Sequence, residues 1–156
     1  MASCITVIEN VLDSIIWLKI VANNADIFLA FCYFPPDNSV FYEKCDIDIF
    51  QALENSICRY KYNGRIYVMG DMNSRTGERD DFIHCDEINH IIPNAPSILN
   101  YESETRLCDR KNTDKFINNF GRKLLELCKA TGLRIVYGRH VDDSVGYATF
   151  FCSRGE

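Results

Sequence analysis

A carboxylate and a carboxamide stand two residues apart in Gly70-Asp71-Met72-Asn73, directly after the apolar run Arg65-Ile66-Tyr67-Val68-Met69. At the end of a buried strand, a carboxylate can align or deprotonate an attacking water, and an amide can hold a phosphate oxygen as charge builds on it. A simple Asx turn also explains the pair, since Asp and Asn both favour that geometry after a strand. Tyr33 closes another apolar run, in Cys32-Tyr33-Phe34-Pro35-Pro36. Its hydroxyl can donate to a phosphate oxygen, or it can be the wet tip of a core aromatic. Taken singly, none of these residues decides between chemistry and structure.

Other chemistry-bearing residues are less well placed. His84, Cys85, Asp86 and His90 are metal-ligand types, but their spacing matches no zinc pattern and reads as a solvated loop. His140 follows Gly138-Arg139 at an expected strand end. Arg75, Arg79 and Arg139 are candidates for phosphate contact, or surface charges beside Glu78, Asp80 and Asp142. The eight cysteines are spread along the chain without a CxxC pair, and Cys32, Cys128 and Cys152 lie in apolar runs where a thiol acts as a small hydrophobe. That usage points away from a zinc, redox or disulfide scaffold and towards a reducing compartment, cytosol or nucleus.

With 156 residues, the chain can build the core of one domain. Its net charge of -5 argues against a broad basic face for non-specific nucleic-acid binding. An acidic metal-dependent nuclease is still reasonable, because bound cations offset negative charge. The N-terminal stretch lacks a basic leader, and Glu9 and Asp13 interrupt its apolar residues, so neither a signal peptide nor a membrane span is expected.

The elements that must position these residues follow from periodicity. Strands are expected at Ile5–Ile8, at Ser14–Val21 and, after the Asn23-Asn24 turn, at Asp26–Tyr33. The last is continuously apolar and reads as a central strand buried on both faces. Pro35-Pro36 ends it. Apolar residues at Tyr42, Cys45, Ile49, Phe50, Leu53, Ile57 and Tyr60 mark one face of a helix over 42–60, stopped by Asn63-Gly64. The Arg65 strand comes next, then an irregular stretch from 72 to about 112 of a kind that is usually functional or mobile. A helix over 119–131 has Asn118 or Asn119 as N-cap, Phe120, Leu124, Leu127 and Cys128 as its apolar face, and Gly132 as its C-terminal stop. Leu133–Tyr137 and Tyr147–Cys152 read as strands around a turn at Asp142, Asp143 and Gly146. The order β-β-β-α-β-α-β-β is α/β, a mixed sheet with covering helices.

Four stretches in register resemble the endonuclease/exonuclease/phosphatase family, in particular its branch in LINE-type (non-LTR) retrotransposons, beside a reverse transcriptase. They are YFPP at 33–36, IYVMGDMNSRTG at 66–77, NNFGRKLLELCKATGLRIVYGR at 118–139 and GYATFFCSRG at 146–155. The resemblance runs from about Ser14 to the end. It implies a four-layer α/β sandwich of two packed sheets flanked by helices, Mg²⁺ as cofactor and DNA as substrate. It also implies Asp71 as the aspartate that activates or aligns water, Asn73 as the asparagine on the scissile phosphate, and Tyr33 as a tyrosine bonding that phosphate. Met72 stands where the family has Phe, and Tyr137 where relatives typically have Asn. The family's early Asn and metal-binding Glu strands, and its later Ser-Asp-His part, have no counterpart here; Glu9, Asn10 and His140 lie in other contexts. The expectation is therefore one incomplete domain over 1–156 with its metal ligands unknown, inactive or weakly active as a fragment. Two other expectations are a phosphatase acting on small phosphoesters or phosphoinositides, and a non-catalytic interaction relic.

Overall fold

The computed structural model describes residues 4–44, 47–84, 109–139 and 141–146. The chain divides into two units, 1–75 with 118–124, and 76–117 with 125–156.

The first unit is built on a four-stranded sheet in the order β1-β2-β3-β4, with β1 Ile5–Val11, β2 Ile15–Ile20, β3 Ile27–Tyr33 and β4 Arg65–Asp71. The first three strands are antiparallel neighbours, and β4 joins β3 in parallel. A parallel neighbour needs a crossover, and the segment between β3 and β4 supplies it with two helices, α1 Phe41–Lys44 and α2 Ile49–Tyr60. The periodicity of 42–60 suggests one helix. Instead Asp48 is an extended N-cap whose Oδ1 accepts the Phe50 and Gln51 N–H groups, so α2 starts afresh at Ile49.

One face of the sheet carries Ile15, Trp17, Phe28, Ala30 and Cys32, all buried. The apolar stripe of α2 covers it. Tyr60 stacks on Phe28 and tilts against Trp17, each with ring centroids 5.1 Å apart, and Phe50 meets Phe34 edge-on at 4.9 Å. Burial on this scale is worth about 1.5–3 kcal/mol per large side chain. Behind the helix, Glu9 accepts hydrogen bonds from Ser56, Arg59 and Tyr60, so its carboxylate ties β1 to α2 and is structural.

The other face departs from expectation. β3 is central, but its burial alternates, and Phe31 and Tyr33 are open on the side opposite α2. Register places Ile5, Val7, Ile16, Tyr67 and Met69 on that same side, all exposed. A continuous apolar run cannot tell a strand covered twice from one whose second face is apolar and open.

Helix α3, Asn119–Thr131, buries Phe120, Leu125, Leu127 and Cys128, while Leu124 is half-buried. Gly132 takes φ +77 and its N–H bonds the Cys128 carbonyl, as a C-terminal stop should.

In the second unit, Leu133–Tyr137 is not a strand. The Ile135 N–H goes to the Asp81 carboxylate at 2.7 Å instead of to a neighbouring strand, and residues 137–139 turn at Gly138. The expected turn at Asp142, Asp143 and Gly146 is present as a 3-10 helix, Val141–Asp143, with Gly146 at φ +66. The expected strand Tyr147–Cys152 lies outside the described residues. The Cys32 and Cys128 thiols are both buried and pushed up to about 12 by that burial, which makes them core hydrophobes. No helix among the described residues is long and apolar enough to cross a membrane.

Candidate functional site

β3 and β4 run parallel and end together, with Tyr33 directly opposite Asp71 on the open face of the sheet. The ladder continues one bond further, from the Phe34 N–H to the Asp71 carbonyl at 2.8 Å. Two of the three residues singled out in the sequence are thus side-by-side neighbours at the carboxyl ends of adjacent parallel strands. That is the edge of an α/β sheet where loops gather polar groups.

Asn73 is held beside them by its own backbone. Asp71 Oδ1 accepts the Asn73 N–H at 2.9 Å, an Asx turn that sets Asn73 at φ +48. Its amide donates to the Phe34 carbonyl at 2.8 Å. The Asx turn expected of the Asp-Asn pair is present, and it holds Asn73 beside the end of β3. The Asn73 amide has one N–H engaged by Phe34 and carries a second, so it can still donate to an oxyanion. Asp71 and Tyr33 are exposed, and Asn73 is half-buried.

Two residues not singled out for the site build its floor. Asn118 caps α3 by accepting the Gly121 N–H at 2.7 Å, and the same Oδ1 accepts the Arg75 N–H at 3.0 Å. Its Nδ2 donates to the Asn73 carbonyl at 2.7 Å. One side chain thus locks the 73–75 turn to the helix start. Gly121 makes room, since a Cβ there would collide with the Arg75 carbonyl. A glycine in the first turn of a strongly patterned helix is the sequence signal that something packs closely there. Asn118→Ala is expected to cost about 2 kcal/mol, a lost cap plus orphaned backbone groups. Urea unfolding followed by Trp17 fluorescence would measure it.

The other candidates fall elsewhere. Exposed His84 bonds Asp80 at 2.8 Å and meets the Phe82 ring. Arg139 is turned inward: its guanidinium forks onto buried Asp81, Nη1 to Oδ2 at 2.7 Å and Nη2 to Oδ1 at 2.5 Å. Cys85, Asp86, His90 and His140 lie outside the described residues. A hollow of about 300 Å³ beside Tyr42, Phe50 and Phe120 is spanned by the Lys123–Asp48 ion pair at 2.6 Å, and none of Tyr33, Asp71 or Asn73 lines it.

Mg²⁺ takes a near-octahedral oxygen set, with one or two carboxylates completed by water and phosphate. At this strand end the described residues bring Asp71, and one of its oxygens already accepts the Asn73 N–H. Among the described residues no three His, Cys, Asp or Glu side chains gather as a metal cluster. One partly engaged carboxylate does not fit a resident metal by itself. Compared with protein-family models, curated proteins and solved structures, the chain matches none of them.

Proposed function

We propose that the Tyr33–Asp71–Asn73 strand end is the phosphate-handling part of a phosphodiesterase-like domain of the endonuclease/exonuclease/phosphatase type. The parent activity would be Mg²⁺-dependent endonucleolytic cleavage of DNA, as in retrotransposon endonucleases. The observation that carries the reading is the parallel register that sets Tyr33 opposite Asp71, with Asn73 fixed beside them. In this arrangement Asp71 orients a water and draws off its proton, while the Tyr33 hydroxyl and the second Asn73 N–H donate to phosphate oxygens. The parent fold would be the four-layer α/β sandwich, and the helix-on-sheet packing of the first unit, with an apolar outer face, supports it. The 156 residues alone are expected to turn over weakly or not at all, because no three His, Cys, Asp or Glu side chains gather to hold a metal among the described residues.

Binding and turnover are tested separately. Titrating a short DNA duplex while following backbone amide shifts should move Asn73 and its neighbours, and Tyr33→Phe should weaken that binding about tenfold, the worth of one hydrogen bond to a charged group. Absence of any shift at this strand end would sink the reading. Incubation with supercoiled plasmid and Mg²⁺ should give at most trace nicking. Strong nicking that disappears in Asp71→Ala would instead show a complete metal site in this chain.

A further inference from the structure

The face of the sheet opposite α2 is open and apolar. Ile16, Phe31, Tyr33, Tyr67 and Met69 are all on it, between 40% and 57% exposed. The aromatic side chains among them cover roughly 150–250 Å² each when fully open. With Ile5 and Val7 alongside, the half-open face comes to on the order of 700 Å², close to the ~800 Å² that each partner contributes to a standard stable interface. Patches beyond a few hundred Å² on a monomer mark interaction sites.

Its charges say which partner fits. On β4 the residues facing this side are Arg65, Tyr67, Met69 and Asp71, with the cation at one end and the anion at the other. Consider a second copy laid face to face about a two-fold axis between the sheets and perpendicular to the strands. β4 then lies over its own copy with direction reversed, within the ~30° angle usual for packed sheets. Arg65 of each copy comes over Asp71 of the other, and Tyr67 over Met69. On β3 the same operation sets Leu29 against Phe31 and Ile27 against Tyr33. A two-fold interface needs such self-complementarity, and a single pattern of apolar and charged positions supplies it.

We propose that two copies of this chain associate through the β1–β4 face opposite α2, with reciprocal Arg65–Asp71 pairs fixing the register. The pairing places Tyr33 and Asp71 inside the interface, so phosphate reaches this strand end only in the monomer.

Sedimentation equilibrium of the full chain at micromolar concentration should report a dimer. Met69→Lys should make it monomeric while leaving the far-UV spectrum and Trp17 fluorescence unchanged, because Met69 points away from the core. Arg65→Asp should raise the dimer Kd at least about tenfold by setting like charges together twice. Combining Arg65→Asp with Asp71→Arg should restore it, which general apolar stickiness would not do. A monomer at these concentrations overturns the proposal. So does a ladder of larger species insensitive to the charge at 65.

Discussion

Asp81→Ala is expected to destabilise the second unit by about 3–5 kcal/mol, the usual cost of removing one partner from a buried ion pair. Asp81 is fully buried, and its two oxygens accept Arg139 Nη1 and Nη2 and the Ile135 N–H. Without it the Arg139 guanidinium, only 12% exposed, loses the carboxylate it forks onto, and the Ile135 N–H loses its acceptor. Buried Arg110 makes the loss worse. Its Nη2 donates to Thr76 Oγ1 and the Gly77 carbonyl, but its Nε and Nη1 have no hydrogen-bond partner among the described residues, and Asp81 is a nearby counter-charge.

The same group sets an acid response. Burial pushes the Asp81 carboxyl up, but the Arg139 fork and the Ile135 N–H outweigh it and hold it below the usual carboxylate range. A carboxyl whose pKa is lower folded than unfolded stabilises at pH above its unfolded value, and that stability drains as pH falls through the folded value. Protection factors of the amides in 76–84 and 133–139, corrected for the intrinsic exchange rate, should therefore fall below about pH 4, the ordinary carboxyl range. Asp81→Ala should exchange fast already at neutral pH and lose that acid step. Equal protection in the two proteins at neutral pH would refute this account of the unit.

Gly70→Ala is the second large effect, expected at about 2–4 kcal/mol, in the range of strained backbone combined with steric overlap. Gly70 has φ +128, and a Cβ there would run into the Cys32 backbone on the neighbouring strand. Since Cys32 pairs with Gly70 and Tyr33 with Asp71, prising this point apart also separates the two candidate site residues. Trp17 fluorescence should report the lost urea stability, and the DNA-dependent shifts at Asn73 should vanish. Gly132→Ala is the control: its φ of +77 is also left-handed, but nothing lies within 4 Å of the added methyl. It should cost only about 1 kcal/mol, the left-handed backbone term alone.

Local signals in the chain identified much of this architecture. The runs at 15–20, 27–33 and 65–71, the α2 stripe, the α3 span with its Asn118 cap, and the turns at Pro35-Pro36 and Gly132 are all legible, because each depends on neighbours a few residues away. The errors share a cause. The helix at 42–60 is broken because Asp48 takes N–H groups that a continuous helix would give to carbonyls. Leu133–Tyr137 has strand composition but is not a strand, since Asp81, far away in sequence, takes the Ile135 N–H. Arg139 reads as a surface charge for the same reason.

The Tyr33–Asp71–Asn73 strand end divides along this line. The sequence alone determined that a strand ends in Gly-Asp-Met-Asn, that another ends in Tyr, and that a helix runs between them, since propensity and period are properties of short windows. Only the tertiary structure decided that β3 and β4 are parallel neighbours in a register that sets Tyr33 against Asp71. It also decided that Asn118 straps the Asn73 turn, and that the second face of an apolar strand stands open. Strand pairing and burial are set by contacts between segments distant in the chain, and periodicity does not encode which segment a face will meet.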